Sequence, residues 1–163
     1  VNGEVLHHRR RPAVVIRHAC RSVDWIASLP VRDLAARDSN LFLWTTNAFL
    51  AEGVEVLKAW GFRYITVLTW CKPAMGVGKA FRNNTEHCLF GRRGNIPWHG
   101  PHTVGTWFIW PRGAHSAKPE AFQDLIEQVS PPPYLELFAR RQRLGWDVWG
   151  NEVASTVELE MPA

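Results

Sequence analysis

From Leu41 onward, short apolar runs alternate with amphipathic stretches, and this alternation restricts the chain to a sheet covered by helices. LFLWTT (Leu41 to Thr46) is a bounded apolar run of the kind that forms a buried strand. It leads into a stretch that sets Leu50, Val54 and Leu57 on one helical face and ends at Gly61. YITVLTW (Tyr64 to Trp70) is rich in β-branched and aromatic residues, reads as a second strand and stops at Pro73. Gly76, Gly78 and the polar run Arg82 to Thr85 mark a loop, after which EHCLFG (Glu86 to Gly91) and TWFIW (Thr106 to Trp110) are two further strands. Pro119 then opens a helix with Phe122, Leu125, Ile126 and Val129 at i, i+3, i+4 and i+7, and Pro131-Pro132-Pro133 ends it. LELFA (Leu135 to Ala139) and WDVWG (Trp146 to Gly150) close the pattern as strands around a turn at Gly145. Strand, helix, strand, met twice, predicts an α/β sheet with flanking helices.

A length of 163 residues suits one domain with a real core, and 46% hydrophobic with 21% charged residues argues against disorder. No apolar run reaches the length of a membrane span, and no apolar segment follows the basic first residues, so neither a membrane helix nor a signal peptide is expected. Cys20, Cys71 and Cys88 are odd in number and far apart, which excludes a complete disulfide framework and points to a reducing, cytoplasmic setting. His7, His8, His18, His99 and His102 show no metal-ligand spacing, so no metal is expected. The net charge of +4 gathers at Arg9-Arg10-Arg11, at Arg92-Arg93, and at Arg140-Arg141 with Arg143. Such clusters suit a polyanion, and equally a solvated surface. Nine Trp offer stacking faces, but most are expected to fill the core.

Three segments, in order, resemble one enzyme family. They are TEHCLFGRRGN from Thr85, AHSAKPEAFQDLIEQVSPPPYLELFAR from Ala114 to Arg140, and GWDVWGNE from Gly145 to Glu152. The chain resembles the adenine-N6 methyltransferases named after the seventy-kilodalton subunit of mRNA adenosine methyltransferase, from about Ser22 to Val153. The resemblance implies a Rossmann-like sheet that binds S-adenosylmethionine, and a nucleic-acid substrate, DNA rather than RNA. It also implies roles for particular residues. Lys118, beside the helix-opening Pro119, matches the lysine that takes the methionyl carboxylate, a role that suits a cation at a helix N-terminus. Arg140 matches a ribose-contacting arginine, and Asn151 with Glu152 match the polar pair that completes the cofactor site. Trp70, Asn83, Asn84 and Glu86 fall where the family lines the adenine pocket, and Arg92 with Arg93 are expected to touch nucleic acid. Core packing for Trp70 and a turn role for the two Asn fit the residues equally well. His115 reads as a loop residue fixing the approach to Lys118 rather than as a base.

The family's Asp-Pro-Pro-Trp tetrapeptide, whose acceptors hold the adenine amine and whose Trp stacks on the base, does not occur in this sequence. Asp24 and Asp33 are not followed by Pro-Pro and read as helix-surface carboxylates, so no catalytic residue is assigned. Residues 1–21 are rich in Arg, His and Pro and show only the short Ala13 to Ile16 run, as in a frameshifted or mis-started segment. The expected organisation is an atypical segment at 1–21, a partial methyltransferase domain at 22–153 lacking one or more N-terminal strands, and a tail at 154–163. The alternative to an active enzyme is an inactive subunit of the same fold that binds nucleic acid or supports a methyltransferase partner.

Overall fold

The computed structural model describes residues 11–16, 22–78, 80–113 and 117–159. A first strand, β1 (Arg11–Ile16), precedes two short helices, α1 (Val23–Ala27) and α2 (Val31–Leu34), and the long strand β2 (Ala35–Thr45). A 3-10 turn (Asn47–Phe49) leads into α3 (Leu50–Ala59), β3 (Arg63–Cys71) and β4 (Thr85–Arg93). Then come β5 (Trp107–Ile109), α4 (Glu120–Val129), β6 (Tyr134–Leu137) and β7 (Trp146–Trp149). The seven strands form one sheet in the order β5-β3-β4-β2-β1-β6-β7, with β4 alone running against its neighbours. The expected α/β architecture is present.

One expectation needs correcting. An interior place in the sheet, between β2 and β6, is filled by β1, so Arg11–Ile16 belongs to the domain rather than to a segment outside it. Ala13 to Ile16 are at most 1% exposed and pair in parallel with β2 on one side and β6 on the other. A strand covered on both faces is apolar at every position and shows no alternation, which is why four such residues carry so weak a pattern. Arg11 reaches across to Asp147, donating from Nε at 3.0 Å and from Nη2 at 2.6 Å, and so ties the first strand to the last.

Strand alternation sorts the core into two faces. Val14, Ile16, Leu41, Leu43, Leu89, Leu135 and Leu137 meet Val56, Leu57 and Trp60 from the α3 side. Ala13, Val15, Phe42, Trp44, Cys88, Phe90 and Tyr134 meet Phe122, Ile126 and Val129 of α4. Each fully buried large side chain contributes roughly 1.5–3 kcal/mol. Helix α3 lies close on β4 because residue 91 is Gly: a Cβ there would stand 2.8 Å from Leu57 Cδ1. The far end of α4 is anchored at Ser130, whose Oγ accepts from Asn40 Nδ2 at 2.8 Å and whose carbonyl accepts from Tyr134 OH at 2.9 Å. Strand β2 starts six residues before its apolar run, since Ser39 and Asn40 are buried with hydrogen-bond partners at Ala36 O and Ser130.

The parallel strands all end on one edge of the sheet, and β4 begins there, with Thr45 opposite His87. The chain leaves β1 toward β2 on one side and leaves β6 toward β7 on the other. An α/β sheet opens its ligand crevice outside the strand ends at such a switch point.

Candidate active site

Glu86, the second residue of β4, is the hub of this edge. Its Oε1 accepts from Lys118 Nζ at 2.8 Å and its Oε2 lies 3.1 Å from Lys72 Nζ. Lys118 reaches this place because α4 begins at the edge, just after Pro119. Lys72 reaches it because the antiparallel β3–β4 pairing sets Cys71 against Thr85. Each ammonium also lies over an indole, Lys118 at 5.0 Å from Trp44 and Lys72 at 4.9 Å from Trp70. Burial pushes the Glu86 carboxyl up, but Lys118 and then Lys72 more than offset it and hold the group below its ordinary 4.5. Lys118 is only 6% exposed, so its charge is held in a confined place, on a carboxylate that it shares with Lys72. A second anion arriving at this point would meet two cations.

On the opposite face of β4, His87 bridges two elements. Its Nε2 lies 2.7 Å from Asn47 Oδ1 and its Nδ1 lies 3.1 Å from Thr69 Oγ1. Burial lowers its basicity, with Glu86 opposing weakly. Asn47 also donates from Nδ2 to Thr85 Oγ1 at 3.1 Å and to Thr85 O at 3.3 Å. This fastens the start of β4 to the end of β2. Asn83 and Asn84 lie on the connecting loop, exposed; Asn84 O accepts from Lys72 N at 2.7 Å.

The second part of the edge is formed by the ends of β6 and β7. Ala139 N donates to Trp149 O at 2.9 Å, and Gly150 packs against the Ala139 backbone so closely that a Cβ would strike its carbonyl. Arg140 Nε stands 3.2 Å from Glu152 Oε1, both largely exposed, with Asn151 beside them on the surface. The donor set fits the methyl donor that the resemblance implies. Lys118 offers a cation for an amino-acid carboxylate, and Arg140 with Glu152 offers donor and acceptor for sugar hydroxyls. The buried indole N–H of Trp44, on the ring that Lys118 covers, has no partner among the described residues.

The structure thus brings Lys118 and Glu86 into contact and places Arg140, Asn151 and Glu152 on the same edge. Other expected residues lie elsewhere. Trp70 is 3% exposed, packs edge-on against Trp44 and donates Nε1 to Trp110 O at 2.9 Å, so it is a core residue rather than an open wall for a base. Arg92 and Arg93 end β4, opposite Asn40 and Ser39, at the far edge of the sheet. Arg92 donates to Ile96 O, while Arg93 donates to the carbonyls of Arg32, Ala35 and Ala36 and lies over Phe62. The other arginine clusters are also engaged. Arg141 meets Glu120 at 2.8 Å, and Arg143 meets Asp124 at 2.6 Å and Glu127 at 2.7 Å. His115 lies outside the described residues. Trp44, Asn47 and Lys72 were not singled out in the sequence; the one available signal was that a β3–β4 hairpin sets Lys72 near Glu86.

Comparison with known proteins places this geometry in a family. Residues 5–152 match the MT-A70 family model, a span that includes β1. The chain is 36% identical over 140 residues to the type II methyltransferase M.MunI of a Mycoplasma species, covering 84% of this chain and 60% of that protein. It is 29% identical over 143 residues to the N6-methyladenosine RNA methyltransferase MTA1 of Pyricularia oryzae, covering 78% and 38%. The human N(6)-adenosine-methyltransferase catalytic subunit METTL3 is 28% identical over 127 residues, covering 71% and 22%. The chain therefore spans from about a fifth to three fifths of the length of these relatives.

Proposed function

The chain belongs to the MT-A70 family, and from that premise we propose that it is an S-adenosylmethionine-dependent methyltransferase acting on adenine N6 in nucleic acid. The observation that carries this reading is Lys118, confined at the switch-point edge and paired with Glu86, a carboxylate that also holds Lys72. When bound, S-adenosylmethionine supplies the sulfonium methyl group. Lys118 holds the methionyl carboxylate, and Lys72 remains on Glu86 when Lys118 turns to that second anion. Arg140, Asn151 and Glu152 meet the ribose at the ends of β6 and β7. Asn83 and Asn84 stand on the loop that borders the base. The higher identity to the type II methyltransferase than to the relative named as an RNA methyltransferase favours DNA. The test is calorimetric titration of the whole chain with S-adenosylhomocysteine. Binding is expected, and its absence in a folded chain would sink the reading.

A second reading is supported by one observation. Directly after β1, where the sheet's switch point would present an adenine-holding group, the sequence reads Arg17, His18, Ala19, Cys20. A chain that binds the cofactor without those acceptors would serve as an inactive nucleic-acid-binding or partner subunit.

A further inference from the structure

Between β3 and β4 the chain does not turn at once but extends as a narrow finger from the cofactor edge. Its arms are laid together by Lys72 N donating to Asn84 O at 2.7 Å and Asn83 N donating to Val77 O at 3.3 Å. Gly76 and Gly78 permit this: a Cβ on either would strike the carbonyl of Asn83 or of Phe81. Asn47 grips the base of the finger through Thr85. The finger carries three large apolar side chains into solvent, Met75 at 70%, Val77 at 84% and Phe81 at 91% exposure. Large apolar side chains exposed together on one short segment are a feature of contact surfaces.

We propose that this finger is a nucleic-acid contact in which Phe81 stacks on, or wedges between, bases next to the target adenine. The inference rests on the methyltransferase reading above. Charge selects the partner: from Pro73 to Thr85 the sequence has Lys79 and Arg82 and no Asp or Glu, which suits a polyanion. Position supports it, because the finger starts one residue after β3 and ends one residue before Glu86, the group that holds Lys118. Chemistry supplies the need, since a base inside a duplex must leave its stack before its amine is reachable, and inserted apolar side chains unstack neighbouring steps. Arg82, next to Phe81, brings a phosphate-binding cation to the same place.

The experiment measures fluorescence anisotropy of a labelled mixed-sequence DNA, single-stranded and duplex, across a salt series, with the whole chain and its variants. Phe81→Ala is expected to weaken binding about 5- to 100-fold, the range of one lost base–aromatic stack, without changing the salt slope. Phe81→Trp should retain affinity. Arg82→Ala should lower the salt slope by roughly one. Phe81 is open to solvent, so neither substitution at that position threatens folding. Unchanged affinity for Phe81→Ala overturns the proposal. So does a sedimentation result in which the unmodified chain is a dimer that Phe81→Ala converts to monomer, because a second copy then covers the tip. Calorimetry with S-adenosylhomocysteine separates the two ideas. Cofactor binding without DNA binding removes the finger and leaves the methyltransferase reading. Phe81-dependent DNA binding without cofactor binding does the reverse.

Discussion

The two edges of the sheet use positive charge in different ways. At the edge where β2 begins and β4 ends, the cations are structural. Arg93 donates to three backbone carbonyls. At the edge where the parallel strands end, the cations are held by other side chains. Lys118 and Lys72 share Glu86, and Arg140 faces Glu152. A side-chain pair can open and exchange for a ligand, whereas a guanidinium shared among three backbone carbonyls gives up several hydrogen bonds at once by leaving. Equal charge clusters in the sequence thus carry unequal capacity for function.

The strongest way to sharpen this contrast is to complete the ligand edge. Substituting Arg17→Asp, His18→Pro, Ala19→Pro and Cys20→Trp directly after β1 supplies the absent acceptors and stacking ring. N6-methyladenine in digested DNA, measured by mass spectrometry, is expected to rise on the order of 100-fold or more over the unmodified chain. No rise despite intact cofactor binding would favour the inactive-subunit reading.

The contrast breaks if the far edge proves dispensable. Arg93→Ala removes the guanidinium donors from the carbonyls of Arg32, Ala35 and Ala36 and uncovers Phe62. A loss of about 2–4 kcal/mol in urea unfolding is expected, with no change in the salt dependence of DNA binding. A normal unfolding midpoint with a lowered salt slope would return Arg93 to the nucleic-acid interface.

At the ligand edge, Lys118→Ala is expected to weaken S-adenosylhomocysteine about 10- to 100-fold while DNA affinity falls far less. Equal loss of both would indicate a folding defect. Acid should act on the same cluster. Burial raises the Glu86 carboxyl, yet Lys118 and Lys72 hold it below 4.5, so protonation is disfavoured in the folded state. Its stabilising contribution is therefore present above about 4.5 and is lost as pH falls through the lowered value. Glu86→Gln should flatten that acid limb in urea midpoints measured against pH. An unchanged limb would mean that other carboxylates govern it, such as Glu127, which the hydrogen bond from Arg143 holds low.

What the sequence revealed follows from which interactions are local. Leu50, Val54 and Leu57 announced α3, Gly61 ended it, and Pro119 announced α4, because helix periodicity and caps are written within one turn. Strand β1 was faint because its partners are distant strands and burial on both faces erases alternation. The Glu86–Lys118 contact joins residues 32 positions apart and depends on where α4 starts relative to β4. Lys118 and Glu86 were each recognisable by resemblance, but their contact was not. The backbone partners of Arg92 and Arg93 were not legible, since a pair of arginines looks the same in sequence whether it faces phosphate or its own backbone carbonyls.

The smallest effect expected is the most direct test of exchangeable charge. Arg140→Ala removes an ion pair whose partners are 41% and 59% exposed. Such a pair contributes about 0–1 kcal/mol, because water screens the attraction and both long side chains lose freedom in making it. The unfolding midpoint should therefore stay near that of the unmodified chain, in contrast to Arg93→Ala. Cofactor affinity is the quantity that should move, since Arg140 lies just beyond β6 at the edge where the ribose is proposed to sit. Unchanged cofactor affinity with an unchanged midpoint would make Arg140 a surface residue and confine the cofactor's cationic contacts to Lys118. A large fall in stability would instead show that the ligand edge is held together as tightly as the far one, and the distinction between the two edges would fail.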